Sequence, residues 1–274
     1  MISIWHWHTE PALIGGILFV VWAYLILLGP LRHKIAPQER FPQREFYWFI
    51  TAAISFYFAV GSPLDALGEN FLFSAHMVQH MLLMYAAALF TVLAVPGWLF
   101  DELTKRYRIL DRIFGFLFRP LAAGFLFTFF FCGWHFPTLY EAALHDKVIH
   151  MLEHLTMYGV SVMMLWVLLN KSKRMPPAQY GIQLLYLFLL MVAQIPLFAI
   201  LTFSTEVLYP TYDLAPRIIE LTPLGDQVLG GLIMKVSNML LSLFLMGRAF
   251  YLWGKDAEKS RIEGSANELP QASA

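Results

Sequence analysis

Charge is scarce in this sequence. Only 14% of its 274 residues are Asp, Glu, Lys or Arg, against 58% that are hydrophobic, whereas a soluble domain carries about 25% charged residues. The 19 acidic and 19 basic residues cancel, so net charge points to no class of partner. Cysteine is scarcer still. Cys132 stands alone inside an apolar run, which excludes a disulfide framework, a CxxC pair and covalent haem attachment. The opening MISIWHWHTEP lacks the basic stretch of a secretory signal. Neither a dinucleotide-binding glycine fingerprint nor a P-loop is present. Basic residues sit mostly in short connections, so nucleic acid is not an expected partner.

What the chain has instead is long apolar runs. Seven stretches, 12–30, 45–62, 71–96, 119–137, 148–170, 180–203 and 227–253, approach the roughly 20 residues that cross a bilayer. The expectation is an all-α membrane protein, a seven-helix bundle over residues 1–254 with lipid as its surroundings, followed by a polar, disordered tail over 255–274. Orientation follows from the basic residues. Arg32, Lys34, Arg40 and Arg44 fall in one connection, Lys105, Arg106, Arg108, Arg112 and Arg119 in a second, and Lys171, Lys173 and Arg174 in a third. Arg248, Lys255, Lys259 and Arg261 fall at the C-terminal end. These alternate segments hold sixteen of the nineteen basic residues, which places them in the cytoplasm and the N-terminus outside. Segment 98–118 is too charged to span. It reads as an amphipathic helix on the inner surface, with Phe114, Phe116, Leu117 and Phe118 towards lipid. The 204–226 connection is long enough to fold over the outer mouth of the bundle.

Polar residues inside the spans are few and concentrated. The third span, FLFSAHMVQHMLLMYAAALFTVLAVP, carries His76 and His80 with Gln79 between them. Residues i and i+4 share a helix face, so both imidazoles point one way. The fifth span repeats the pattern with His150, Glu153 and His154, and His135 closes the fourth. Given the orientation, both pairs lie in the outer halves of their helices. Of the nine histidines only His33 is on the cytoplasmic side. His6 and His8 stand beside Trp5 and Trp7 in an interfacial segment, and His145 is in an outer connection. A lone intramembrane histidine is commonly a hydrogen-bonded packing residue. Two pairs at one depth point to a cluster that faces a partner or an ion.

Imidazole suits copper, zinc and iron, and thioether neighbours favour Cu(I). Met77, Met81 and Met84 follow the first pair and Met151 and Met157 flank the second, although methionine is also a common filler of apolar helices. Copper is therefore the expected metal, on His76, His80, His135, His150 and His154. Gln79, Glu153 and Asp226 are expected to hold ring nitrogens by hydrogen bonds. Two alternatives stand beside it. His150-x-x-Glu153-His154 matches the H-x-x-E-H zinc-protease pattern with Glu153 as base, and histidines on facing helices can also hold haem b.

The motifs resemble a known family. His76-x-x-x-His80 with the later Pro96-Gly97 is similar to the cytochrome c oxidase assembly proteins of the caa3 type, the Caa3/CtaG family. So are Trp134-His135-x-Pro137-x-x-Tyr140, His150-x-x-Glu153-His154 and Leu224-Gly-Asp226-Gln227-x-x-Gly230-Gly231-x-x-Met234. This multi-pass family is distinct from the single-span copper chaperone that shares the CtaG name. The resemblance implies a protein of the bacterial inner membrane that assembles a haem–copper oxidase without turning over a substrate. It implies copper handling, with the oxidase catalytic subunit or its assembly intermediates as partner and a soluble periplasmic copper chaperone as the copper source. Lys235 departs from the pattern, following Met234 where an aromatic residue is expected. A mid-span lysine needs a carboxylate or a cavity, with Glu153 and Asp226 as candidates.

The orientation is testable. Cysteines placed by Lys147→Cys and Lys173→Cys are expected to react from opposite sides of intact cells with a membrane-impermeant thiol reagent. Labelling of both from outside overturns the topology.

Overall fold

The computed structural model describes residues 5–267, with side chains as far as Glu263. Every regular element among these residues is helical. α1 (Pro11–Leu28) and a short turn α2 (Arg32–Ile35) lead to α3 (Gln43–Gly61). α3 bends by 41° into α4 (Pro63–Asn70). The break is local chemistry: Ser62 is extended, its hydroxyl accepts the Leu64 N–H at 3.2 Å, and Pro63 starts the new helix.

α5 (Phe73–Met81), a π-helical turn over Leu82–Ala87 and α6 (Ala88–Ala94) form one continuous rod of 22 residues. Pro96 ends it, and α7 (Gly97–Arg106) and α8 (Arg108–Leu117) follow. α9 (Pro120–Trp134) leaves α8 at 70°. α10 (Pro137–His145) turns into the long α11 (Lys147–Leu169). α12 (Tyr180–Ala193) and α13 (Ile195–Phe203) are parted at Gln194, where Pro196 removes a helical N–H donor. α14 (Pro210–Leu214) lies in the following connection, and α15 (Pro223–Asn267) closes the described chain.

Five of these helical stretches are long and apolar enough to cross a membrane, and up to seven if each bent pair counts as one span. The difference from the seven separate runs lies in α3–α4 and α8–α9. α9 has 15 residues, about 22 Å at 1.5 Å per residue, short of a bilayer's ~30 Å apolar core. The α5–α6 rod and α11 pack against each other at the centre. α3 lies beside the rod, α9 and α10 beside α11, and α15 along α5, α12 and α13. Met77, Met84, Phe127, Phe131 and Leu165 fill the core with no solvent exposure beyond rounding. Leu18, Phe19, Trp22, Phe125, Phe129, Phe188 and Phe244 point outward, an apolar surface of a kind that lipid covers.

The basic connections are tied down at one end of the bundle. The Asp101 carboxylate accepts the Ser172 hydroxyl and the Lys173 N–H at 3.0 Å. Arg174 forms a two-pronged pair with Asp111 at 2.9 Å on each prong, and Lys171 reaches Glu45 at 2.6 Å. Two expectations change here. Segment 98–118 is two helices broken at an extended Tyr107, and Phe114 and Phe118 turn inward onto Phe100 and Trp166. Phe116 faces outward as expected, joined by Ile109 and Ile113. Residues 255–267 are helical where a disordered tail was expected. Their Ala, Glu and Lys are good helix formers, and Lys259 and Glu263 pair one turn apart at 3.7 Å. Residues 268–274 of that expected tail lie outside the described residues.

Gly97, which starts α7, lies tight against the connection after α11: a Cβ there would stand 1.9 Å from the Lys171 carbonyl oxygen. Gly97→Ala is therefore expected to cost about 1–3 kcal/mol through overpacking. Gly133→Ala, with open space at its Cβ, should leave the midpoint unchanged or slightly raised. Thermal unfolding in detergent checks the pair.

Candidate metal centre

The site is built where the first turns of α5 and α11 meet. Each helix start is fixed by a carboxylate. Asp146 accepts the Val148 and Ile149 N–H groups at 2.8 and 3.1 Å, which begins α11 and puts His150 in its first turn. α5 has no cap of its own. Asp226 at the start of α15 accepts the Phe73 and Ser74 N–H groups at 2.7 and 3.2 Å, a cap supplied from another helix. Gly68 then lets α4 lie directly on α5, since a Cβ there would stand 2.9 Å from the His76 Cα.

These constraints bring both histidine pairs to one place. His76 Nε2 and His80 Nε2 are 2.8 Å apart. Glu153 faces both, at 3.9 Å from His76 Nε2 and 3.7 Å from His80 Nε2. The His154 ring centroid lies 5.7 Å from that of His76 and 5.3 Å from that of His80, and the His150 ring is 4.2 Å from His154. One ligand atom each from His76, His80, Glu153 and His154 lies within 4.8 Å of the others. His135 stands at the edge, 5.7 Å from His80. The two helices face each other directly here, since Glu153 of α11 reaches within 3.9 Å of His76 on α5.

Hydrogen bonds set which ring nitrogens are free. His135 Nδ1 lies 2.6 Å from the Phe131 carbonyl oxygen, to which it must donate. In the neutral ring that leaves the lone pair on Nε2, and this buried nitrogen has no partner. His150 Nδ1 meets Glu69 Oε1 at 2.6 Å, and its Nε2 is also unpartnered. The Tyr212 hydroxyl donates to the Gly68 carbonyl at 2.7 Å and lies 3.4 Å from His76 Nδ1, which leaves it to accept a hydrogen bond from the N–H of that ring. The Nε2 of His76 therefore carries a lone pair, and His80 holds the proton that the 2.8 Å contact needs. His80 Nδ1, His154 Nε2 and both Glu153 oxygens are likewise buried without hydrogen bonds. A dry carboxylate facing imidazoles without a hydrogen bond is costly unless a positive charge joins it. The donor set therefore fits a cation.

The pocket does not open outward as expected. Tyr140, Tyr209 and Tyr212 roof it, all essentially unexposed. The Tyr140 and Tyr212 hydroxyls are 3.0 Å apart, and the Tyr209 hydroxyl donates to the His135 carbonyl at 2.8 Å. The 204–226 connection does fold over the bundle, with Thr211 bound to Glu141 and Arg217 to the Tyr212 carbonyl.

Several expected roles move. Gln79 donates to Asp65 Oδ1 at 2.5 Å and no hydrogen bond joins it to a ring among the described residues. Asp226 serves the start of α5, as described. Lys235 makes no ion pair with Glu153 or Asp226; its ammonium lies 5.2 Å from the Phe198 ring centroid. Met151 faces outward, 53% exposed, and Met77 lies against Gly230 of α15. Asp65, Glu69 and Tyr212 were missed. Asp65 and Glu69 are one turn apart in PLDALGEN, a carboxylate pair in an otherwise weakly charged segment, and that spacing was the available signal.

The model of one protein family, described as cytochrome c oxidase caa3 assembly factor (Caa3_CtaG), matches residues 22–256. No curated protein and no solved structure matches the chain.

The tautomer assignment has a direct readout. In protein labelled with ¹⁵N-histidine, His135 is expected as the Nδ1–H form with an unprotonated Nε2, seen as two well-separated nitrogen resonances that His135→Gln removes. A protonated Nε2 at His135 overturns the assignment.

Proposed function

The chain belongs to the cytochrome c oxidase caa3 assembly factor family, and from that premise we propose that it handles copper for a haem–copper oxidase as a multi-pass protein of the bacterial inner membrane. The observation that carries this is the buried four-residue cluster His76, His80, Glu153 and His154, whose ligand atoms converge without enough protons or partners to satisfy them. The reading includes seven spans, an outer N-terminus and a cytoplasmic C-terminus, supported by the basic residues gathered at the end of the bundle opposite the histidines. It involves no substrate turnover. The oxidase or an assembly intermediate receives the ion, and a soluble periplasmic chaperone is a fitting donor.

Copper as cargo agrees with imidazole donors that exchange readily. The methionines add little, since Met151 and Met77 face elsewhere. Held by His76, His80 and His154, the ion would meet the Glu153 charge directly. At about 2.0 Å per metal–nitrogen bond, two nitrogens on one ion stand farther apart than the 2.8 Å of His76 and His80. Loading therefore spreads those rings and displaces their shared proton. Haem b is disfavoured because Glu153 of α11 closes to 3.9 Å on His76, which leaves no slot for a macrocycle. A protease reading is disfavoured because Glu153 is wholly buried under the tyrosine roof, away from any peptide.

The experiment is metal and optical analysis of the purified protein under reducing conditions. Bound copper with no Soret absorbance is expected, and Glu153→Gln should weaken copper binding by roughly 10- to 100-fold while leaving the protein folded. A Soret band, or absence of copper after reconstitution, overturns the reading.

A further inference from the structure

A second cluster of ligand-type side chains lies at the surface, near the buried one. His6, His8 and Glu10 place one ligand atom each within 4.8 Å of the others, with the two rings 4.9 Å apart. Their spacing explains this. In extended chain, alternate residues share a side, so HWHTE presents His6, His8 and Glu10 together and turns Trp7 the other way. Trp7 stacks on Tyr57, the His8 N–H donates to the Gly61 carbonyl at 2.8 Å, and the Tyr57 hydroxyl donates to the His8 carbonyl at 3.2 Å. The triad is thereby anchored to the end of α3. All three residues precede the part of the chain that the family model covers.

The triad touches the interior. His8 Nδ1 meets Glu10 Oε1 at 2.9 Å, and His8 Nε2 lies 3.0 Å from Asp65 Oδ2. The second contact is close but misaligned for a hydrogen bond, and the nitrogen is otherwise unpartnered. Asp65, His150 and His154 form a further group with ligand atoms within 4.8 Å, all three buried. His154 belongs also to the inner cluster with His76, His80 and Glu153. Three ligand groups thus run in series, joined first by the His8–Asp65 contact and then by a shared residue. Both buried groups contain histidine nitrogens with no other partner, at His150 and His154.

We propose that His6, His8 and Glu10 form an outer loading site that captures a Cu(I) ion and passes it through Asp65 and His150 to the inner cluster. The inference rests on the copper-handling reading above and adds the route and the docking residues. Each transfer is a ligand exchange: a bond to the next group forms before one to the previous group breaks. The ion keeps its charge, and no electron moves. Carboxylates at Glu10, Asp65, Glu69 and Glu153 accompany the ion along the way and offset the cost of moving a cation out of water. A ring must be neutral at the nitrogen that binds, so loading releases protons to the outside.

The test uses the full chain in lipid nanodiscs, with Cu(I) supplied from its coloured bicinchoninate complex and uptake followed by loss of that colour. The wild type is expected to take up copper in two phases, a fast outer one and a slower inner one. The variant combining His6→Asn and His8→Gln should lose the fast phase and fill the inner cluster on the order of tenfold more slowly or worse. Its final inner-site affinity should match wild type. Asp65→Asn should keep the fast phase and slow the second. His6→Asn alone, at an exposed ring, guards against misfolding and should also slow uptake. Inner loading at the wild-type rate in the His6 variant and the double variant overturns the loading site and leaves the copper reading intact. Failure of the wild type to bind any Cu(I) overturns both, and failure of His76→Ala to abolish the slow phase overturns the inner site alone.

Discussion

Desolvation of the imidazoles and of Glu153 governs this structure. Placing five histidines and a carboxylate in a dry interior is unfavourable unless their donors and acceptors are matched, and much of the surrounding architecture supplies the matching. Tyr212, itself donating to the Gly68 carbonyl, occupies His76 Nδ1, the Phe131 carbonyl occupies His135 Nδ1, and Glu69 occupies His150 Nδ1. The matching is one-sided. It satisfies Nδ1 of His76, His135 and His150 and leaves Nε2 of His135, His150 and His154 bare. That asymmetry distinguishes a prepared ligand set from histidines that merely pack, because packing alone would favour partners for both nitrogens.

The helices around the site are positioned by polar contacts of long sequence separation more than by apolar fit. Asp226 caps α5 from 152 and 153 residues away. Asn238 of α15 donates to both the Tyr85 hydroxyl and Gln194 at the α12–α13 break. In lipid, apolar side chains gain little by choosing one neighbour over another, so register comes from hydrogen bonds and close small-residue contacts. Gly230 against Phe73, where a Cβ would stand 2.4 Å from the ring, is one such contact.

Much of this was legible in the sequence, for identifiable reasons. Long apolar runs announce membrane helices, and a four-residue histidine spacing announces a shared face, so the α5 and α11 pairs could be read directly, whereas their meeting depended on the two helices being neighbours. The H-x-x-E-H segment drew attention to Glu153. What could not be read were features set by bends and by side-chain direction. α4 bends away from α3 by 41° at Ser62-Pro63, and along it Asp65 and Glu69 reach the histidines. Asp226 read as a site residue because its depth was right; its direction, towards the first N–H groups of α5, is a tertiary fact. Lys235 likewise finds an aromatic face where Coulomb reasoning suggested a carboxylate. The amphipathic pattern of 98–118 was real, yet its break at Tyr107 rotated Phe114 and Phe118 into the core.

The π-helical turn at Leu82–Ala87 lies immediately below His80. Such a turn closes its hydrogen bonds over five residues in place of four, so the rod holds a residue that a regular α-helix would not require. The two central helices therefore differ in how they bear changes of length. Removing one residue from Leu82–Ala87 lets the rod relax to an ordinary helix, with the histidine face above and the core face below still joined. Removing one from the corresponding stretch of α11, which has no such reserve, turns everything below the cut by about 100° and sets its two halves against each other. Insertions and deletions should thus be tolerated unequally along two helices that look alike in hydropathy.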